Sequence, residues 1–280
     1  MVDPSRHTYL CPLRWGDMDA LGHVNNALWV DYLQEARVDY LLRGPLAGML
    51  ASGVLVTEHQ VEHLAPVTPD AEPMRIELWI SSVGGARFSL AYELFHHDQL
   101  VGRARTVAVP YDLEAGRLRR LSDEERSQLR SQLIDSGALR PVPTALPAEH
   151  VTVPCPVRWS DLDSYGHVNN VKFYDYVQEA RIAWLTQVLP EEPGVWVVVR
   201  QDMRYLAQLD HRLEPYGVRL GVAAVGRTSI TVVAEVIEPD RGTVFARATT
   251  VLVHLGADSR PAPLPTALAP LWATDGLSAD

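Results

Sequence analysis

From residue 26 to residue 43 the apolar side chains Trp29, Leu33, Ala36, Val38, Tyr40 and Leu41 fall roughly at helical spacing, with Asp31, Gln34 and Glu35 between them. That period predicts an amphipathic helix. The pattern returns at 170–188. After each helix come four runs rich in Val, Ile, Thr and aromatics, at 53–65, 73–83, 86–97 and 101–112, then at 194–206, 215–225, 228–238 and 243–255. These runs predict β-strands. Gly84-Gly85 and His97-Asp98-Gln99 mark tight hairpins, so the sheet is predicted to be largely antiparallel. A short extended segment precedes each helix, at about 7–15 and 151–159. One long helix against one antiparallel sheet, written twice, is an α+β arrangement.

The duplication is explicit in the residues. Positions 11–38 and 155–182 share 17 of 28 residues at an offset of 144. Weaker likeness continues, with HLAPV near 63 facing YLAQL near 205, and Glu93 falling at the place of Glu235. A period this long means two copies of a domain rather than a solenoid. The expected organisation is an N-terminal domain over 1–121, a helix and Pro-rich linker over 122–148, a C-terminal domain over 149–256, and an irregular tail over 257–280. Ser122 followed by Glu125 is a capping-box signature and predicts a helix at about 123–135, ended by Gly137.

Composition narrows the function classes. Nearly half of the 280 residues are hydrophobic, 47%, enough for each copy to bury its own core. The net charge of −10 argues against a nucleic-acid partner, which would need clustered Lys and Arg. No apolar run approaches the ~18 residues that span a bilayer, and the N-terminal residues lack a signal-type apolar stretch. The two cysteines, Cys11 and Cys155, sit at equivalent points and in no CxxC pair. The expectation is a reduced, soluble, cytoplasmic protein with no structural zinc, no membrane partner and no cofactor.

The chemistry concentrates in RWGDMDALGHVNN, from Arg14, and RWSDLDSYGHVNN, from Arg158. Asp19 and Asp163 each end an extended segment before a Gly-His turn, at the mouth of the following helix. Asn25, Asn26, Asn169 and Asn170 are good N-cap residues. A helix N-terminus carries partial positive charge and free N–H donors that can hold a developing oxyanion. A carboxylate beside an electrophile so held can activate water or attack directly. Those are the needs of acyl transfer to water. The same residues also fit a structural reading, with the Asp as turn-former, His23 and His167 as half-buried histidines, and the Asn pairs as caps. Asp17 and Asp161 lie two residues earlier; one role for them is to pair with Arg14 or Arg158, and the second Asp of each pair is the stronger catalytic candidate.

The two strings resemble the signature of the 4-hydroxybenzoyl-CoA thioesterase-like branch of the hotdog-fold acyl-CoA thioesterases, and the second copy is also similar to plant acyl-ACP thioesterases. The resemblance covers both halves. It implies two fused hotdog domains, each a long central helix wrapped by a curved antiparallel sheet, paired within one chain with sites at the interface, a further homo-oligomer being left open. It implies Asp19 and Asp163 as catalytic carboxylates, with His23 and His167 matching the histidine of plant-type relatives. The asparagine those relatives place between Asp and His is replaced by Leu21 and Tyr165, which favours a simpler carboxylate mechanism. Backbone N–H groups around Val24–Asn26 and Val168–Asn170 would polarise the thioester carbonyl. Glu58, facing Arg200 in the other copy, is a second-rank auxiliary carboxylate; a solvated surface role is its plainer reading. The charges of Glu35-Ala36-Arg37 and Glu179-Ala180-Arg181 are expected to be structural partners. Arg87, Arg103, Arg105, Arg204 and Arg247 are available for the phosphates of CoA.

The function so implied is hydrolysis of acyl-CoA to free acid and CoA, without metal or organic cofactor, at two competent sites. An acyl-carrier-protein thioester is the other candidate substrate. The alternatives are a non-hydrolytic acyl-thioester-binding module and a hotdog hydratase, whose D-x-N-x-x-H pattern is not the one written here.

Overall fold

Val, Ile and aromatic residues on alternate positions give the strand runs one face to bury, and the strands form close to the expected places. In the computed structural model, which describes residues 6–163, 165–189 and 195–268, the chain divides into two units, Met1–Leu139 and Arg140–Asp280. The first holds β1 (His7–Cys11), α1 (Trp29–Arg43), α2 (Ala47–Ser52), β2 (Val54–His63), β3 (Met74–Val83), β4 (Phe88–His96), β5 (Gln99–Asp112), β6 (Arg117–Leu118) and α3 (Asp123–Ser131). The second holds β7 (Val151–Cys155), α4 (Lys172–Val188), β8 (Val195–Tyr205), β9 (Tyr216–Val225), β10 (Ser229–Ile237) and β11 (Val244–Leu255).

Each unit builds an antiparallel sheet with the same strand order, β1-β3-β4-β5-β2 in the first and β7-β9-β10-β11-β8 in the second. Even the irregularities repeat: the register slips at Thr57 and again at Val199, and at Ser81 and again at Ala223. Such bulges bend a strand, so the curvature is written twice as well. The helix α1 lies on β1 and β3, burying Trp29, Val30, Leu33, Ala36, Tyr40 and Leu41. In the second unit α4 buries Phe173, Tyr174, Val177, Ala180, Trp184 and Leu185 against β7, β9 and β10.

The differences from expectation are local and physical. Strands β1 and β7 stop at Cys11 and Cys155, short of 15 and 159, where the chain passes through Pro12 and Pro156 into the 3-10 turns Trp15–Asp17 and Trp159–Asp161. α1 begins at Trp29 rather than 26, since Asn26–Leu28 forms a 3-10 turn capped by the Asn25 side chain. α2 was not anticipated; it is six residues long and buries Met49 alone, too short for a period to show. α3 has the predicted capping box, with Glu125 N–H donating to Ser122 Oγ and Ser122 N–H to Glu125 Oε2, but ends at Ser131, short of 135. It belongs to the first unit: Leu129 is buried, and Ile134 N–H donates to Ile80 O at 2.9 Å. The Pro-rich run after it is mostly exposed, yet Pro143 O accepts from Thr249 Oγ at 2.6 Å inside the second unit. The tail is not simple coil from 257. Pro261 bridges Leu255, Leu264 N–H donates to Arg227 O, and Leu268 is buried. Residues 269–280, the rest of the expected irregular tail, lie outside the described residues. Among the described residues no helix is long and apolar enough to cross a membrane.

Candidate active site

The repeated string folds into the same loop in both units. After β1 the chain makes a 3-10 turn at Trp15–Asp17, then a narrow loop closed by a bridge between Met18 and Val24. Asp19 N–H donates to His23 O at 2.8 Å, and Gly22 N–H returns to Asp19 O at 3.1 Å. Gly22 has φ 76, and Gly166 has φ 81. A left-handed residue is what the turn requires, and glycine takes it without a Cβ penalty. In the second unit the bridge joins Leu162 and Val168, Asp163 N–H donates to His167 O at 2.8 Å, and Gly166 N–H to Asp163 O at 3.1 Å. Ser164 lies outside the described residues.

This loop separates the roles of the two aspartates. Asp17 is tied to the central helix through one carboxylate oxygen: its Oδ2 accepts from the Tyr32 hydroxyl at 2.6 Å and from Arg14 N–H at 3.2 Å, and its main-chain oxygen accepts from Asn25 N–H. Asp161 repeats this with Tyr176 at 2.7 Å and Arg158 N–H at 2.9 Å. The arginines expected as partners contribute their backbone, not their guanidinium groups. These first aspartates tie the loop to the central helix. The hydrogen bonds, together with burial as the larger cause, push the phenols of Tyr32 and Tyr176 far above their ordinary pKa, so both stay donors.

Asp19 is held differently. Its Oδ1 accepts from Leu21 N–H at 2.8 Å and His23 N–H at 3.2 Å, whereas its Oδ2 has no hydrogen bond among the described residues. Asp163 Oδ1 accepts from Tyr165 N–H at 2.8 Å, and its Oδ2 is likewise open. Both residues are half-buried. The turn-former reading of these aspartates therefore describes one oxygen of each, and the other accepts no hydrogen bond among the described residues. His23 and His167 are half-buried on the same loops; His167 Nε2 stands 3.7 Å from Asp210, and its Nδ1 is buried without a partner among the described residues.

Four of the six amides expected as oxyanion donors are spent inside the protein. Val24 N–H donates to Val67 O at 2.7 Å and Asn25 N–H to Asp17 O at 2.8 Å; Val168 N–H donates to Leu209 O at 2.9 Å and Asn169 N–H to Asp161 O at 2.8 Å. These four amides hold the loop together and do not face a ligand. Loop closure, invisible in one-dimensional spacing, consumed them. What the caps leave over is side-chain amide: Asn25 Oδ1 accepts from Ala27 N–H at 3.0 Å and Asn169 Oδ1 from Val171 N–H at 3.3 Å, while neither Nδ2 has a partner among the described residues. Asn170 O accepts from the Tyr205 hydroxyl at 2.9 Å. Asn26 sits half-buried in the 3-10 turn before α1.

Other expected residues fall as follows. Glu58 lies beside the bulge inside β2, half-buried, and accepts from Gln60 Nε2 at 3.0 Å. Its counterpart Arg200 is buried and paired with Asp202. The helix-centre charges are not mutual partners, because Glu35 and Glu179 are exposed whereas Arg37 and Arg181 are buried, each with Nη1 lacking an acceptor among the described residues. Burial lowers the Arg181 guanidinium to about 10. Of the arginines considered for phosphates, Arg103 faces Glu93 at 3.7 Å, Arg105 donates to Ser136 O and Gly137 O, and Arg247 pairs with Glu235. Arg87 is exposed beside the β3–β4 turn. Burial pushes the Cys11 thiol up to about 11 and the Cys155 thiol to about 12, so neither is a thiolate nucleophile at neutral pH.

The thioesterase-like superfamily pattern matches residues 13–142 and 157–270, one copy on each unit. The chain belongs to that superfamily, and its two units are hotdog domains of the α+β class. Its fold is similar to that of a protein described as an oleoyl thioesterase from Lactobacillus plantarum, with a TM-score of 0.74 and 17% identity over 90% of this chain and 97% of that one. A 12:0-ACP thioesterase from Umbellularia californica matches with a TM-score of 0.64 and 16% identity, over 91% of this chain and 99% of that one. In sequence, 117 residues are 24% identical to a chloroplastic dodecanoyl-[acyl-carrier-protein] hydrolase of Cinnamomum camphora, covering 39% of this chain and 31% of that protein's length.

Proposed function

We propose that the protein hydrolyses acyl-CoA to the free acid and CoA, using Asp19 in the first unit and Asp163 in the second. The observation that carries this reading is the repeated loop in which backbone N–H groups tie one carboxylate oxygen and leave Oδ2 open. Anchoring one oxygen orients the other, which is the positional order that acid–base chemistry needs. Water's oxygen bonds to the thioester carbonyl carbon as its proton passes to Oδ2. The C–S bond then breaks, and the leaving thiolate takes up the proton. The same oxygen in direct attack would form an anhydride that water opens to the same products. The carbonyl oxygen takes its hydrogen bond from Asn25 or Asn169 Nδ2, in place of the amides of Val24 and Asn25 or of Val168 and Asn169. His23 and His167 stand on the same loops as proton-handling groups, and Glu58 is an auxiliary carboxylate of the first unit.

The names of the relatives favour a second substrate form, a thioester on acyl carrier protein, at the same two sites. Thiol release from acyl-CoAs and from acyl carrier proteins of matched chain length tests both. Release from either substrate, lost in the Asp19→Asn/Asp163→Asn double variant, is expected. Undiminished release in that variant removes the assignment. Thermal stabilisation by CoA esters with no release at all would replace the enzyme by a binding module.

A further inference from the structure

The loop between β2 and β3, and its counterpart between β8 and β9, each hold the active-site loop of their unit in place, since Val67 O and Leu209 O accept from Val24 and Val168 N–H. Three residues on, each of these loops is fastened to the β-hairpin that follows, by different chemistry in the two units. In the second unit Arg212 Nη1 donates to Glu238 Oε1 at 2.7 Å, an ordinary ion pair. In the first unit the equivalent positions are Asp70 and His96, and a second histidine, His97, joins them. His96 Nε2 stands 3.2 Å from Asp70 Oδ1, and His97 Nε2 stands 2.7 Å from Asp70 Oδ2.

We infer that Asp70, His96 and His97 form a binding site for a borderline transition-metal cation of the zinc(II) type, present in the first unit only. Two imidazole nitrogens and a carboxylate oxygen are a donor set for zinc rather than for magnesium or calcium, which prefer all-oxygen shells. One ligand atom from each residue falls within 4.8 Å of the others. A four-coordinate zinc with bonds of about 2.0–2.1 Å spaces its ligand atoms by about 3.4 Å, so the three groups close on the ion by small side-chain adjustments. A water completes the shell. The ligands are also pre-oriented. His96 is buried, and Asp70 Oδ1 accepts from Glu72 N–H at 2.9 Å. His97 and Asp98 take the left-handed backbone, φ 49 and 58, of a tight turn where Asn-Gly is the usual choice, and this turn carries the second imidazole to Asp70. A cation there would clamp the loop whose Val67 carbonyl holds the Asp19 loop. The site stands apart from the proposed hydrolysis and does not depend on it.

Untagged protein, stripped of metal with chelator, is titrated with zinc chloride by calorimetry and with cobalt(II) by visible absorption. One zinc per chain and the visible bands of four-coordinate cobalt are expected. The Asp70→Arg/His96→Glu variant installs the ion pair of the second unit. It should fold and lose zinc affinity by at least about 100-fold, as should the exposed His97→Gln. The inference is overturned by no zinc uptake in the unmodified protein, or by uptake that both variants retain.

Discussion

The two units agree almost residue for residue at the candidate active site and diverge in the interior around it. The divergence comes in matched sets. In the first unit a Cβ added to Gly102 would meet the Trp29 ring at 2.3 Å; in the second the corresponding positions hold Ala246 and the smaller Phe173, both buried. His59, wholly buried and 2.9 Å from Thr106, is answered by buried Gln201 beside Thr250. The Asp70–His96–His97 cluster is answered by Arg212–Glu238. A close-packed interior tolerates a change of volume or charge only when the neighbour changes with it. The loop string repeats because the same backbone amides close the loop in both units.

Four experiments bear on that comparison, from the largest expected effect to the smallest. Exchanging both carboxylates in Asp19→Asn/Asp163→Asn should lower thioester hydrolysis by about 100-fold or more. Each single variant should leave the other unit's activity, and a single variant as inactive as the double would show that one unit does all the chemistry. Next, Gly102→Ala should destabilise the first unit by about 1–3 kcal/mol in denaturant unfolding. Adding Trp29→Phe should recover the part of that loss due to the ring, the added Cβ still meeting Glu62 O at 2.9 Å.

Third comes a pH effect confined to the first unit. Burial, with the Arg37 charge adding to it, holds His59 well below its ordinary pKa. The folded chain keeps this imidazole neutral while the unfolded chain protonates near pH 6.5. Stability is therefore lost as pH falls below about 6.5, by about 1.4 kcal/mol per pH unit until the folded pKa is reached. His59→Gln, copying the second unit, should flatten that slope in urea titrations between pH 6.5 and 5; an unchanged slope would assign it elsewhere. Last, Ser122→Ala removes the capping box of α3, whose place in the second unit is taken, among the described residues, by the 3-10 turn Thr266–Leu268. A loss of about 1 kcal/mol is expected by thermal unfolding.

Much of this was legible in one dimension. The period of α1, the four strand runs and the Ser122 capping box all announced themselves, because burial on one face imposes a period and an orphan helix terminus demands a short polar side chain. The string around Asp19 pointed to a helix mouth. Less could be read about which of its polar atoms would be left over. Asp17 and Asp19 look alike in sequence, and it is the Tyr32 hydroxyl, fifteen residues away, that ties Asp17 to the central helix. The amides of Val24 and Asn25 looked available for the same reason: their acceptors, Val67 O and Asp17 O, are brought in by folding. His97-Asp98-Gln99 reads in sequence only as a hairpin, because Asp70, which stands beside both His96 and His97, is more than twenty residues away in the chain.

The amino-acid order by itself determined that the chain is a duplicated α+β protein with a carboxylate-bearing loop before each long helix, since periodicity and repetition are properties of the chain alone. Tertiary structure decided which oxygen of which aspartate stays open, which amides are consumed, and which buried positions change together. Those outcomes depend on hydrogen bonds and contacts between residues far apart in the chain, and no local pattern encodes them.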